Sequence, residues 1–312
     1  METTAVVLEA PGKLALKTVE ISPPGDDDVV VDIEWSGIST GTERLLWAGR
    51  MPAFPGMGYP LVPGYESVGR IREAGPNSGQ VEGTRVFVPG AKCFRTVRGL
   101  FGGAASRLVV PGTRVQPVAE RIGEPAVLLA LAATAYHVTA SPDADQPDLI
   151  IGHGVLGRLL ARLALLQGSE PVVWERDPAR RSTSEDYQVI SPDEDPRRDY
   201  RCIVDVSGDS TLLDALISRL APGGEVVLAG FYDQPLSFSF PPAFMREARM
   251  RVAAQWQEGD LEMVTELVET RQLQLDDLIT HRSKASEADR AYETAFNDPS
   301  CLKMVIDWRN NQ

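Results

Sequence analysis

The sequence predicts an α/β protein of two domains, one β-rich and one built on a doubly wound parallel sheet. Three observations carry that reading. The first third of the chain consists of short β-type runs separated by Gly and Pro. From about residue 124 the pattern changes to strands alternating with helix-periodic stretches, as in a parallel sheet. The length, 312 residues, accommodates about two domains of ordinary size.

The elements follow in order. Residues 4–8, 29–34, 67–73, 85–88 and 106–110 predict strands. Turn signals separate them at Pro23-Pro24-Gly25, Gly75-Pro76-Asn77, Pro89-Gly90 and Pro111-Gly112, so a barrel or sandwich is expected. Residues 126–140 are apolar and rich in helix formers. A short apolar strand is expected at 148–151, then a helix over 155–167 with Leu156, Leu159, Leu160, Leu163 and Leu166 on one broad face. Strands follow at 171–174, 202–206 and 225–229. A helix over 211–220 lies between the last two, closed by Pro222-Gly223-Gly224. The stretch 176–201 is polar, with five acidic residues between Asp186 and Asp199, and reads as a solvated connection. Beyond Phe231 come Pro-rich segments, helices over 260–270 and 286–297, and a last strand over 303–307.

Composition narrows the function classes. Lys and Arg number 31 against 44 Asp and Glu, a net charge of −13, which disfavours a general nucleic-acid or membrane-surface binder. Cys93, Cys202 and Cys301 are far apart with no CxxC pair, so neither a disulfide framework nor a zinc knuckle is expected, and a reducing cytoplasm is the simplest compartment. The first ten residues lack the basic and apolar regions of a secretory signal. The longest apolar stretch, 126–136, is too short to span a bilayer.

One motif carries chemistry. Gly152-His153-Gly154-Val155-Leu156-Gly157 matches GxGxxG, follows a predicted strand and opens a predicted helix. A second strand ends at Glu175, 23 residues after the first glycine. That context is the Rossmann dinucleotide fingerprint. Gly152 permits the tight turn, Gly154 lets backbone amides approach a pyrophosphate, and Gly157 lets helix and strand pack closely. The helix N-terminus faces the phosphates with partial positive charge. Glu175 suits the ribose hydroxyls and repels a 2′-phosphate, favouring NAD over NADP; the neighbouring Arg176 can bind such a phosphate or stack on adenine. His153 occupies a variable position of the motif. Ser207 and Gly230 follow the fourth and fifth strands of this sheet, at the ends where open α/β sheets bind ligands, and are expected beside the nicotinamide.

A β module, a central Rossmann unit and a return to the first module resemble the medium-chain dehydrogenase/reductase superfamily over essentially the whole chain. The residues that carry the resemblance are Gly37-Ile38-Ser39-Thr40-Gly41-Thr42-Glu43, Pro63-Gly64-Tyr65-Glu66, Ala133-Thr134-Ala135-Tyr136, the glycine fingerprint and Leu220-Ala221-Pro222-Gly223-Gly224. The run from Gly41 to Trp47 and on through Gly49-Arg50-Met51-Pro52 and Phe54 to Glu66 is similar to the bacteriochlorophyll-pathway branch of that superfamily. The resemblance implies a GroES-like catalytic domain, residues 1–122 with 262–312, and a Rossmann NAD-binding domain, residues 123–261. It adds Thr134 to the cofactor candidates. It implies NAD-dependent oxidation of the C3 1-hydroxyethyl group of a tetrapyrrole, (bacterio)chlorophyllide a, to acetyl, in a homodimer. It also implies that the 175–201 stretch is short of a helix or strand, at the outer wall of the adenine pocket. Two other readings are an NADPH-dependent quinone or enone reductase, against which Glu175 speaks, and a dinucleotide-binding relative without turnover.

Zinc members of the superfamily hold catalytic zinc with a Cys, a His and a second Cys. The corresponding positions here are Ser39 or Thr40, Tyr65, and a residue near Ala130, none a good zinc ligand. No metal is expected, and another group must take the alcohol proton. Ser39, Thr40, Thr42 and Tyr65 offer hydroxyls for a relay, and Glu43 and Glu66 a base or fixed charge. Each also has a structural reading, in turn bonding or core packing. Trp47, Met51, Phe54, Met57 and Tyr59 lie in a Gly/Pro-rich stretch and read either as a wall for an apolar macrocycle or as a loop packed on the barrel. Arg44, Arg50, Arg95 and Arg98 are candidates for a substrate carboxylate.

Overall fold

A computed structural model describes residues 1–53, 55–140, 145–181, 186–253, 255–257 and 259–310. The chain divides into two compact units, Met1–Ala130 with Thr265–Gln312, and Leu131–Val264. The sequence reading placed the divisions after residues 122 and 261.

The first unit begins with β1 (Glu2–Ala10), β2 (Lys13–Glu20), β3 (Asp28–Ile38) and helix α1 (Thr42–Trp47). It continues with β4 (Leu61–Val62), β5 (Ser67–Ala74), β6 (Arg85–Val88), β7 (Arg98–Gly99), β8 (Arg107–Pro111) and β9 (Gln116–Pro117). The second unit holds most of helix α2 (Leu129–Thr139), then β10 (Leu149–Ile151), α3 (Val155–Leu166), β11 (Val172–Trp174), the single turn α4 (Pro178–Arg181) and β12 (Gln188–Ile190). Next come β13 (Tyr200–Asp205), α5 (Leu213–Ile217), β14 (Leu220–Leu228), α6 (Phe240–Met245), β15 (Arg249–Val252) and α7 (Asp260–Glu269), which leads back to the first unit. There β16 (His281–Lys284), α8 (Ala288–Asn297) and β17 (Met304–Asp307) complete the fold.

In the first unit one sheet runs β2-β1-β4-β7 and the other β16-β17-β3-β5-β6-β9, with β8 also on β3. Val29, Val31, Ile33, Val86 and Val88 are fully buried, and so are the intervening Val30 and Phe87, so both faces of these strands are covered. The register of the second sheet builds a site. Met304 pairs with Ile38, and Ser36 with Ser67. The C-terminal end of β3 and the N-terminal ends of β5 and β17 therefore lie side by side. Ser39, Glu66 and Lys303, each one residue beyond these ends, converge.

In the second unit all strands are parallel, in the order β12-β11-β10-β13-β14-β15. Numbered within the unit this is 3-2-1-4-5-6, the doubly wound arrangement whose ligand crevice lies at the switch between its first and fourth strands. Leu159, Leu160 and Leu163 of α3 are buried as expected, whereas Leu166 is 46% exposed at the helix end.

Several elements differ from the sequence reading. Strand β2 shows exposed or half-buried residues at all but one position, so its alternation is weak. The expected 126–140 helix starts as a 3-10 turn, Glu124–Leu128. The expected 211–220 helix is shorter, because β14 already starts at Leu220 and runs through Pro222-Gly223-Gly224 with a register shift opposite Tyr200–Cys202. The 176–201 connection contains the edge strand β12. It is anchored by buried Asp195, whose carboxylate accepts Trp174 Nε1–H at 2.8 Å and Tyr200 Oη–H at 2.7 Å.

Candidate active site

The convergence of strand ends in the first unit creates a hydroxyl cluster. Beyond β3 the chain turns through Ser39, Thr40 and Gly41 into α1. Tyr65 and Glu66 lie between β4 and β5. Ser39 Oγ and Tyr65 Oη share a hydrogen bond of 2.6 Å. Thr42 Oγ1 lies 3.3 Å from Ser39 Oγ and 3.2 Å from Tyr65 Oη, closing a triangle. Ser39 is buried while Tyr65 and Thr42 are half-buried. Thr40 is exposed and outside the triangle.

Two carboxylates lie behind the hydroxyls. Glu43, in the first turn of α1 and 1% exposed, accepts the Ser39 N–H at 2.9 Å and the Tyr292 O–H at 2.7 Å. Burial pushes its carboxyl up from 4.5 to about 7, and the nearby Glu66 adds to the rise. Burial and Glu66 likewise push the Tyr65 phenol above its ordinary range, so it stays protonated at neutral pH. Glu66 has no exposed surface, and its Oε2 accepts from Lys303 Nζ at 2.6 Å. A β-carbon on Gly37 would come within 2.2 Å of that oxygen, so a larger residue there would displace the Glu66 side chain. Lys303 and Tyr292 were missed in the sequence. The available signal was a lysine, one of five in the chain, opening an apolar strand in the segment that returns to the first module.

The cluster offers hydroxyl oxygens and no thiolate or imidazole. Among the described residues no three His, Cys, Asp or Glu side chains form a metal-binding group. The donor set does not fit a zinc ion.

The expected macrocycle wall is packed inward. Trp47, Met51, Met57 and Tyr59 are half-buried against Leu8, Leu46, Leu61 and Leu100, and the Tyr59 hydroxyl donates to the Leu46 carbonyl. Phe54 lies outside the described residues. Arg44 and Arg50 are exposed on or just beyond α1. The Arg98 guanidinium lies against Gly58, and Arg95 is 4.0 Å from Glu20.

In the second unit the glycine motif forms the turn between β10 and α3. Gly152 has φ of 105°, a conformation that favours glycine. A β-carbon on Gly157 would lie 1.9 Å from the Gly152 carbonyl, so helix and turn meet only if residue 157 is glycine. A β-carbon on Gly154 would meet nothing within 4 Å, leaving open space at the helix N-terminus. Val155 is buried and Leu156 half-buried, so they pack the helix rather than present polar groups. The Glu175 carboxylate accepts the His153 N–H at 3.2 Å and the Asp177 N–H at 2.9 Å. His153 is fully buried, with Nδ1 2.8 Å from the Arg180 carbonyl and Nε2 2.9 Å from Tyr187 Oη. Its ring therefore serves packing. Exposed Arg176 reaches Asp209 at 3.4 Å. Ser207 donates its N–H and O–H to Asp205, at 2.8 and 2.6 Å. Gly230 N–H donates to the Asp205 carbonyl at 2.9 Å, and Thr134 lies half-buried on α2.

A cavity of about 690 Å³ opens beside this turn, lined among others by Gly152, Glu175, Arg176, Ser207, Asp209 and Arg219. Its outer wall is the Ser191–Pro192–Asp193 turn, held where Arg219 donates to the Pro192 carbonyl at 3.3 Å and the Asp195 carbonyl at 2.7 Å. An anchored turn of the 175–201 segment thus closes this side of the cavity. An open helix N-terminus, a close-packed glycine turn and an acidic group at the end of the second strand fit a nicotinamide dinucleotide.

Comparison with known proteins agrees with this architecture. The alcohol dehydrogenase GroES-like domain matches residues 25–120. The chain is 54% identical to the 2-desacetyl-2-hydroxyethyl bacteriochlorophyllide A dehydrogenase of Rhodobacter capsulatus, covering 99% of both chains. It is 55% identical to the protein of the same name from Cereibacter sphaeroides, again over 99% of both. In fold it is similar to an Escherichia coli alcohol dehydrogenase solved with NADH, with a TM-score of 0.83 at 20% identity over 98% of this chain and 99% of that one. A Sinorhizobium meliloti dehydrogenase bound to NADP gives 0.82 at 21% identity, with the same coverage.

Proposed function

The chain belongs to the family of 2-desacetyl-2-hydroxyethyl bacteriochlorophyllide A dehydrogenases, within the medium-chain dehydrogenase/reductase superfamily, and from that premise we propose that it oxidises the hydroxyethyl group of a bacteriochlorophyllide to acetyl with NAD as acceptor. Whole-chain identity of 54–55% is the observation that carries the reading. The two sites supply its parts.

NAD, when bound, supplies the hydride acceptor. The open N-terminus of α3 would hold the pyrophosphate, and Glu175 the adenosine ribose. Two backbone N–H groups hold the Glu175 carboxylate in place, and its charge opposes a 2′-phosphate. Arg176 is engaged by Asp209, which favours NAD further.

Losing hydride from the carbinol carbon leaves a hydroxyl proton to remove. Ser39, Thr42 and Tyr65 take that role without a metal. Their hydroxyls accept the proton and pass it through one hydrogen-bonded set to solvent while the hydride goes to NAD, and Tyr65 acts as a neutral phenol because burial and Glu66 oppose its ionisation. Glu43, bonded to the Ser39 N–H, fixes the turn that bears the serine. The substrate assists, because positive charge at the carbinol carbon spreads into the conjugated ring.

The protein acts as a homodimer in the cytoplasm. The edge strand β15 and helix α6 expose Val252, Phe240, Phe244 and Met245 at 66–76%, an apolar margin suited to a second copy. Cys93, Cys202 and Cys301 are all buried, in keeping with a reducing compartment. Among the described residues no helix is long and apolar enough to cross a membrane.

The test is turnover. Chelator-treated protein, NAD and the hydroxyethyl bacteriochlorophyllide are expected to give a red-shifted absorption band with one NADH per acetyl product. Bound NAD without consumption would overturn the reading.

A further inference from the structure

We propose that Lys303 is a positioning residue: it grips the residue before Ser39 and the residue after Tyr65, and so sets the two hydroxyls against each other. The inference rests on the reading of the hydroxyl cluster as the proton-handling site.

The geometry is specific. Lys303 is 2% exposed and immediately precedes β17. Its ammonium donates to the Ile38 carbonyl at 3.2 Å and to Glu66 Oε2 at 2.6 Å. The Ile38 carbonyl belongs to the same peptide group as the Ser39 N–H, which donates to Glu43 at 2.9 Å. That peptide is therefore clamped at both ends, its oxygen by a cation and its N–H by a carboxylate. On the other side, Glu66 directly follows Tyr65, and the Gly37 N–H donates to its carbonyl at 2.8 Å. One ammonium thus joins both hydroxyl-bearing segments.

A purely stabilising role explains this poorly. Buried ion pairs are often no more stable than apolar residues of equal volume, because desolvation offsets their attraction. Glu66 Oε1 also has no hydrogen-bond partner among the described residues, an added cost. The ammonium instead neutralises a carboxylate that otherwise faces Tyr65 and Glu43. The titratable groups around it are Glu66, Glu43 of α1, Tyr65, and Tyr292 of α8. On the adjoining strand β16, His281 bonds Thr280 at 2.9 Å and lies 4.0 Å from Asp298.

The test follows Glu43 and Tyr65 by carbon-13 NMR in the full chain, with glutamate Cδ and tyrosine Cζ labelled and signals assigned from E43Q and Y65F. Lys303→Met is expected to raise the Glu43 titration midpoint by about one pH unit and to displace the Tyr65 signal. It should lower kcat about tenfold with the KM for NAD unchanged. Lys303→Arg, which keeps the charge, should leave the midpoint in place. If Lys303→Met does not fold, the K303M/E66Q double variant removes both charges, and a displaced Tyr65 signal is still expected. A folded variant of either kind with the wild-type Tyr65 signal, or Lys303→Met with the wild-type Glu43 midpoint, overturns the proposal. If these signals move but Tyr65→Phe turns over normally, the positioning by Lys303 stands and the hydroxyl-relay reading fails.

Discussion

Replacing Glu43 by Gln should make the protein more stable at pH 8 than the wild type, although it alters a buried residue. Glu43 is 1% exposed, and burial raises its carboxyl from 4.5 to about 7. In the unfolded chain it ionises near the ordinary value. Below pH 4.5 the carboxyl is protonated in both states and its burial carries no ionisation penalty. Between pH 4.5 and 7 the unfolded state loses its proton first, so stability falls as pH rises. Above pH 7 the loss is complete. At 1.36 kcal/mol per pKa unit, the gap from 4.5 to about 7 is worth about 3 kcal/mol, an order-of-magnitude figure. Glutamine keeps one oxygen for the Ser39 N–H and offers an amide to the Tyr292 hydroxyl, which can turn to accept it. Urea unfolding of both proteins at half-unit pH steps from 4 to about 8.5 would read the difference. Glu43→Gln should gain on the wild type between pH 4.5 and 7, then run parallel to it. A pH-independent difference, or a wild type that gains over this interval, would refute the reasoning.

Three further outcomes are expected. Tyr65→Phe removes a corner of the hydroxyl triangle and should lower kcat by about 100-fold, within the range of general acid–base catalysis, while NAD binding measured by fluorescence stays unchanged. Glu175→Ser removes the charge opposing a 2′-phosphate and should improve the kcat/KM ratio of NADP to NAD by about tenfold, about 1.4 kcal/mol. Met245→Lys places a charge on the apolar margin of α6 and should shift sedimentation from dimer to monomer; an unchanged dimer would place the interface elsewhere.

The α/β architecture was legible because each layer has its own period. The short apolar, β-branched runs of β3 and β6 and the leucine face of α3 come directly from the chain. The glycine motif was legible for a steric reason: a β-carbon at 157 meets the Gly152 carbonyl, and 152 has positive φ. What was hidden depends on residues distant in sequence. Lys303 reaches Glu66 only because β17 pairs with β3, and β3 with β5, in the observed registers. No local pattern around Lys303 or Tyr292 announces those partners. His153 shows the opposite limit, since its place in the motif suggests the cofactor while its buried ring bonds Tyr187 and the Arg180 carbonyl. Strand β12 was obscured by the charged residues around it.

Metal-independent hydride transfer from the carbinol carbon is tested most directly with a labelled substrate. Hydroxyethyl bacteriochlorophyllide carrying deuterium at that carbon would be turned over by chelator-treated protein with NAD, and the dinucleotide weighed by mass spectrometry. One deuterium in NADH per acetyl product, at a rate that chelation does not change, is the expected result. Deuterium lost to water, or turnover that chelation abolishes and zinc restores, would contradict it.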